Sequence, residues 1–232
     1  MHPLLLHMPS SLGGAAAELS FIQEYTNLVN GDAASVNISS DVSSGDLLLC
    51  MEHADNTGTS SPPSPGSPPA GFTSVGASQA NAVWQRLSYK IADGTETTLT
   101  AGFGAGNNSS IHVLIFRSSG GSVSSVTPST FNTENDANNF PASAQSVTAS
   151  SSTGDATVIF AAAGNGGDID VDFTAGSNLT TQYKSYSSGI SPWTSISGYA
   201  LYNGAASDHS IDWSYSGDTR PTAVSGYLEV YF

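Results

Sequence analysis

The feature that most constrains the fold of this chain is a regular succession of short apolar or alternating runs, separated by clusters of Gly, Ser, Asn and Pro. Such runs have the two-residue period of β-strands, and the clusters between them have the composition of turns. The predicted strands lie near Ser35–Ser39, Asp46–Ala54, Gly71–Gly76, Gln85–Ala92, Thr97–Ala101, Ile111–Ser118, Gln145–Ala149, Ala156–Ala162, Asn178–Lys184, Gly198–Asn203, Ser210–Trp213 and Val224–Phe232. Their number and spacing are typical of an antiparallel sandwich or jelly roll, so we predict an all-β fold.

Alternation within the runs indicates which face of a strand is buried. In Gln85–Ala92 every second residue is apolar (Leu87, Tyr89, Ile91) and the residues between are polar. The run Val224–Phe232 alternates in the same way. Because successive side chains of a strand point to opposite faces, we expect the apolar set to face a core and the polar set to face water.

Helical spacing occurs in one stretch only, AAAELSFIQEYTNLV, which spans residues 15–29. Leu19, Ile22 and either Thr26 or Val29 would lie on one stripe of a helix there. We therefore predict that residues 1–32 form an N-terminal arm or short helix. The arm would bind a partner surface, with the alternative of a helix folded back on its own sandwich. Its expected anchors are the large apolar side chains Leu4, Leu5, Leu6, Phe21 and Ile22.

An internal repeat divides the remainder, residues 33–232, into two halves. The segment SSGDLLLCMEHADN, which begins at Ser43, is echoed without a gap by STGDATVIFAAAGN, which begins at Ser152, 109 positions later. Each copy precedes a variable loop, an aromatic-bearing strand and a similar closing strand, and Gly-Asp is a turn signal before a strand. The halves span about 33–127 and 142–232, and we expect each to contribute strands to both sheets of one sandwich. The proline-rich segment 56–70 and the segment Pro128–Pro141 are predicted loops.

Charge excludes several classes of partner. The chain has 19 acidic and 5 basic residues, a net charge of −14. Binding to nucleic acid or to an anionic membrane relies on Lys and Arg, so neither is expected. No apolar run approaches the ~20 residues of a membrane span. Cys50, the single cysteine, lies in an apolar run and is expected to be buried and inert.

From about Val36 onward the order of these motifs resembles the jelly-roll domains of tailed-phage virion proteins. The resemblance rests on the Gly-Asp turn, the proline-rich loop, Gly71-Phe72-Thr73, RLSYKIADGTE and IHVLIFR. It implies a non-enzymatic structural protein of the virion, either a capsid decoration (cement) subunit or a tail or fibre subunit. The implied partners are other virion proteins, above all the major capsid protein, bound through the arm and a sandwich edge, with further copies of the chain in the assembly. The family contributes no catalytic residues and no cofactor.

Catalytic templates are missing from the sequence. There is no Gly-x-Ser-x-Gly elbow, no phosphate-binding loop and no closely spaced histidine pair. Asp208-His209 leaves a serine triad open, although no residue is marked as its nucleophile. His53 and His112 lie in apolar strands, where satisfied or outward-facing imidazoles are the simpler interpretation.

Two binding sites remain open. Asp168, Asp170 and Asp172 would line one face of a strand, where they form either a solvated surface or a calcium site. Aromatic platforms beside amide groups bind glycans, and the candidates are Trp84, Trp193 and Trp213, for which packing in the core is the alternative interpretation. The alternative function is therefore a carbohydrate-binding or receptor-binding module.

Overall fold

The fold was obtained as a computed structural model, which describes residues 17–55, 66–80, 83–103, 108–135, 145–149, 157–166, 172–175, 181–187, 193–203, 209–216 and 222–232. All regular elements within these ranges are strands, and all their pairings are antiparallel, which confirms the predicted all-β class. The first half contains β1 (Leu19–Val29), β2 (Ser35–Asn37), β3 (Leu47–Asp55), β4 (Thr73–Ala80), β5 (Val83–Ile91), β6 (Thr98–Thr100) and β7 (Asn108–Ser118). The second contains β8 (Ser125–Pro128), β9 (Asn132–Asn135), β10 (Gln145–Ala149), β11 (Thr157–Gly166), β12 (Asp172–Ala175), β13 (Thr181–Ser187), β14 (Trp193–Tyr202), β15 (His209–Ser216) and β16 (Thr222–Tyr231).

Each half forms one large and one small sheet. The first large sheet has the order β1-β7-β3-β5-β4, and its small sheet is β2-β6. The second large sheet has the order β13-β14-β11-β16-β8, with β9 also paired to β16, and its small sheet is β10-β15-β12. In both halves the chain passes repeatedly between the large and the small sheet, which is the connectivity of a jelly roll. No described residue belongs to a helix long and apolar enough to span a membrane.

The two copies of the predicted repeat lie in equivalent strands, and of the described strands only β8, at the boundary of the predicted halves, is shared between those halves. β3 and β11, which carry the repeated motif, lie at the centre of the two large sheets and are flanked by equivalent strands, β5 and β7 or β14 and β16. Apart from β8, which ends the first predicted half and pairs with β16, no described strand of one half is hydrogen-bonded to a strand of the other. Pairing within a half closes shorter loops, so it costs less chain entropy than exchange between halves.

The turn before β3 follows from its sequence. Gly45 has φ +87°, and a Cβ there would lie 2.3 Å from Ser122 Oγ, so the position requires glycine. The Asp46 carboxylate accepts a hydrogen bond from Ser43 N at 2.7 Å and pairs with Arg117. The Ser-Ser-Gly-Asp motif therefore builds a closed turn that starts the central strand.

Two hydrophobic clusters cover the two faces of the first large sheet. One lies between the two large sheets and contains Leu49, Phe116 and Leu228. The other lies between the first large sheet and β2-β6, and it contains Cys50, which is buried as predicted. The expectation that the polar residues of β5 face water is wrong at Arg86 and Ser88, which are buried on the side of the second cluster.

β1 corrects the predicted helix over residues 15–29. Leu19–Val29 is an edge strand paired with β7, and its register shifts between Phe21 and Gln23. The extra residue at this bulge, Ile22, packs with the second cluster, whereas Leu19 belongs to the first. The bulge thus places apolar residues three apart on a strand, which imitates the spacing of a helix.

The other predicted runs all overlap strands, and the prediction missed β8, β9 and β12. β9 lies within the segment Pro128–Pro141, which the sequence predicts to be a loop, so the loop is shorter than predicted. Its sequence, NTEN, has no apolar alternation, and it is a strand because it pairs with the edge of β16.

Candidate functional site

The interface between the two large sheets is apolar at one end and polar at the other. In the first large sheet Ser110, His53, Gln85 and Ser78 are direct cross-strand partners and form one row across β7, β3, β5 and β4. All four side chains are buried. We define the polar seam as this row together with the neighbouring His112 and the facing serines of β14: Ser78, Gln85, His53, Ser110, His112, Ser195 and Ser197.

Hydrogen bonds cross the polar seam from one half to the other. Ser110 Oγ lies 2.7 Å from Ser195 Oγ, and it also lies 3.3 Å from His53 Nδ1. His112 Nδ1 is hydrogen-bonded to Ser197 Oγ. The seam therefore joins the large sheets through buried side-chain hydrogen bonds, whereas the opposite end joins them mainly by apolar packing, with Asn203 bonded to Leu19 at its edge.

Glu24, His112 and Ser197 have the residue types of a hydrolase triad. His112 Nε2 lies 3.4 Å from Glu24 Oε2, and its other ring nitrogen contacts the Ser197 hydroxyl. Burial lowers the pKa of His112 to about 3, however, and an effective general base has a pKa near the working pH. Ser197 is 0% exposed, so a substrate cannot reach it. This group is therefore structural in the folded chain.

Sequence reasoning did not find this cluster. Its members come from β1, β7 and β14, and His112 is 85 positions from Ser197. The one local signal was a histidine inside an apolar strand, which indicates a buried polar contact but not its partner. The other triad candidate, Asp208-His209, has no described side chains.

A second buried polar group surrounds Arg86 on the opposite face of the first large sheet. Arg86 Nε and Nη2 donate to the Glu52 carboxylate at 2.7 and 2.9 Å. The guanidinium also donates to the carbonyls of Gly66 and Ser67, and Glu52 accepts from Gly102 N at 2.7 Å. This ion pair fixes the ends of two loops against the sheet.

The other basic side chains that the structure describes are paired as well. Lys90 Nζ lies 2.6 Å from Glu96 Oε1, and Arg117 forms two 2.8 Å hydrogen bonds with Asp46. The hydrogen bond to the partner carboxylate raises the pKa of both Lys90 and Arg117 above the usual value. Within the described side chains, therefore, no lysine or arginine is left over for an anionic ligand, in agreement with the charge argument from sequence.

Trp84 is part of the core and not an exposed platform. It is 4% exposed, its ring meets Phe103 edge-on at 4.7 Å, and the Arg86 guanidinium lies 4.9 Å from its centroid. Its remaining surface lines a shallow cleft of about 210 Å³ together with Ala77, Ser78, Gln79 and Thr133. The side chains of Trp193 and Trp213 lie outside the described residues, although their backbones belong to β14 and β15.

The predicted arm anchors are only partly described. Leu4, Leu5 and Leu6 lie outside the described residues. Phe21 is 37% exposed and stacks on Tyr199 at 5.7 Å, so one of its faces packs on its own chain. Ile22 is half-buried on the other face of β1.

The calcium candidate lies mostly outside the described ranges. Asp168 and Asp170 are not described, and Asp172 is the first residue of β12. Among the side chains that are described, no cluster of His, Cys, Asp and Glu could hold a metal ion. The calcium site stays a prediction.

No protein-family model matches the chain, and no curated protein matches it. A comparison with solved structures finds the STIV MCP, a major capsid protein of an archaeal virus. The two chains share 10% identity with a TM-score of 0.24, over 92% of this chain and 96% of the other. A TM-score that low does not establish a shared fold, so the fold assignment rests on the strand connectivity described above.

Proposed function

We propose that this chain is a non-enzymatic structural protein of a virus particle, and within that class a capsid decoration subunit of the tailed-phage type. The observation that carries the proposal is the anchorage of β1, the strand that follows the N-terminal segment in the sequence. The sequence resemblance and the jelly-roll connectivity support it. In this function the segment before β1 and an edge of the sandwich bind neighbouring capsid proteins.

The anchorage of β1 involves both halves of the chain. Leu19 is 1% exposed, its N–H donates to Asn203 Oδ1 at 2.8 Å, and its carbonyl accepts from Asn203 Nδ2 at 2.9 Å. Thr157 Oγ1 also donates to Asn203 Oδ1, at 2.9 Å. Ser119 N donates to Glu18 O at 2.8 Å. A pulling force on the residues before β1 would therefore reach both large sheets through these hydrogen bonds. A subunit that links its neighbours in a particle requires this kind of anchorage.

Charge defines the surface that such a protein presents. Its described lysine and arginine side chains are used in internal ion pairs, while the chain carries a net charge of −14. The partner surface is therefore neutral or basic, since like charges across an interface are repulsive. We expect loading onto particles to weaken as salt screens this attraction.

Deletion of residues 1–16 tests the arm. The deletion ends before Leu19, whose removal would open the core and confuse loss of binding with loss of fold. The truncated protein should keep the circular dichroism and melting temperature of the full chain but fail to bind purified particles that lack it. A matched control replaces Leu4, Leu5 and Leu6 by Ser in the full-length chain and should also fail to bind. Full occupancy by both variants would contradict the arm.

Position in the particle distinguishes the decoration subunit from the tail or fibre subunit. Gold-labelled antibodies against this chain should decorate the capsid surface in electron micrographs of intact particles. Label confined to the tail would replace the first assignment by the second.

The alternative, a carbohydrate-binding module, is favoured by the neutral polar lining of the cleft beside Trp84. Ser78, Gln79 and Thr133 supply donors and acceptors without a charge. A glycan array with the wild type, Gln79→Ala and Trp193→Ala tests it. Selective binding that is lost in either variant would support this function, and an array without binding would exclude it for the glycans present.

A further inference from the structure

We propose that the polar seam is an acid-operated latch, in which protonation of His112 releases the two large sheets from each other at this end while their apolar end stays closed. The proposed latch is independent of the proposed virion function. Its evidence is the burial of the His112 imidazole and the position of its hydrogen bond, which joins β7 to β14.

The latch lies at one end of the interface only. Ser110 with Ser195 and His112 with Ser197 join β7 of the first half to β14 of the second. Further along the same strands, Phe116 and Tyr199 meet edge-on at 5.0 Å in the apolar cluster. Loss of the polar contacts therefore leaves the apolar packing in place, and the expected motion is a local opening.

The hydrogen bond between His112 and Ser197 changes direction with the protonation of the ring. When His112 is neutral and carries its proton on Nε2, which faces the Glu24 carboxylate, Nδ1 accepts a hydrogen bond from the Ser197 hydroxyl. Protonation converts Nδ1 into a donor, so the Ser197 hydroxyl must turn and give its proton to another acceptor. It also places a positive charge in an interface that excludes water, which is costly.

The groups that face His112 do not compensate that charge. The titratable ones among the described side chains are Glu24 from β1, His53 from β3 and Tyr199 from β14; β5 contributes Gln85 and Leu87, which do not titrate. The Glu24 side chain is 43% exposed, so water screens its attraction for a protonated ring. Burial outweighs it and lowers the pKa of His112 to about 3.

The lowered pKa of His112 determines how opening of the polar seam depends on pH. An imidazole released into water titrates near its ordinary value of about 6.5, whereas the closed latch resists protonation to about pH 3. The open state therefore binds more protons between these values, and opening becomes up to tenfold more favourable for each pH unit below about 6. Above about 6.5 the contribution of His112 to closure is fully present.

Thiol accessibility tests the latch, because Cys50 is an internal control in the other hydrophobic cluster. In Ser195→Cys, labelling by 4,4′-dithiodipyridine is followed from pH 7 to 4 and divided by the rate of the unfolded chain at each pH. The thiol at position 195 should become steadily more reactive as pH falls, by several-fold or more per unit, while Cys50 stays protected.

A second variant identifies the group that titrates. His112→Gln keeps a hydrogen-bonding side chain that does not protonate in this range, and it should abolish the pH dependence at position 195. If Ser195→Cys does not fold, Ser110→Cys reports from the opposite sheet. The proposal is overturned if labelling is independent of pH, if its pH dependence survives His112→Gln, or if Cys50 becomes reactive in parallel, since that indicates global unfolding.

Discussion

The guanidinium of Arg86 illustrates how the chain uses its few cations. It binds the Glu52 carboxylate and two loop carbonyls, and the side chains of Arg86 and Glu52 are only 5% and 0% exposed. Removing one member of a buried ion pair leaves the other charge without compensation, at a cost of about 3–5 kcal/mol. Arg86→Met should therefore lower the free energy of unfolding by that amount, measured by urea denaturation at pH 7.

The double variant Glu52→Gln with Arg86→Met is the control for this prediction. It removes both charges while Glu52→Gln keeps an acceptor for Gly102 N. It should recover a large part of the lost stability, because the uncompensated charge is gone. Equal losses in the single and double variants would show that packing, not charge, accounts for the effect.

Ser197 supports a prediction about chemistry. A serine becomes a nucleophile when a nearby base can take its proton, and His112 is too weak a base and too deeply buried to do so. A fluorophosphonate probe should therefore leave the folded protein unlabelled at pH 7, as judged by intact mass. A single added mass that disappears in Ser197→Ala would refute this and identify a hydrolase.

The edge strand β1 depends on one side chain from the other half. Asn203 satisfies both backbone groups of Leu19, in the manner of a neighbouring strand. Each such hydrogen bond contributes about 0.5–1.5 kcal/mol. Asn203→Ala should lower the free energy of unfolding by about 1–3 kcal/mol and speed amide hydrogen exchange at Leu19, with little change in β3. Asn203→Asp retains the acceptor, so it should lie between the wild type and Asn203→Ala.

Strands that carry their own alternation were predictable from the sequence, and strands that depend on a neighbour were not. β5 and β16 alternate apolar and polar residues, and β3 and β7 contain short apolar runs, so the sequence alone predicts all four. β1 imitates a helix because a bulge inserts Ile22 into its period. β9 is polar throughout and exists only as a partner of β16. The polar seam required knowledge of the register across four strands and of the strand that faces them, because its members come from β3, β4, β5, β7 and β14.

The whole molecule consists of two similar units stacked through their large sheets, so its stability depends on how closely these sheets approach. Phe131, in the segment between β8 and β9, inserts into the cluster between them. A Cβ at Gly226 would lie 2.6 Å from the Phe131 ring, and a Cβ at Gly76 would lie 2.6 Å from Val224. The two glycines thus make room for Phe131, although neither motif of the repeat contains them.

Gly226→Ala tests this close approach. Forcing a methyl group into a filled core typically costs 1–3 kcal/mol, so the variant should lose about that much free energy of unfolding in urea denaturation. Combining it with Phe131→Ala removes the ring atoms that the methyl group would meet, and the double variant should be less destabilised than the sum of the two single variants. Strict additivity would mean that the two residues do not compete for space, and that the separation of the large sheets is set elsewhere in the interface.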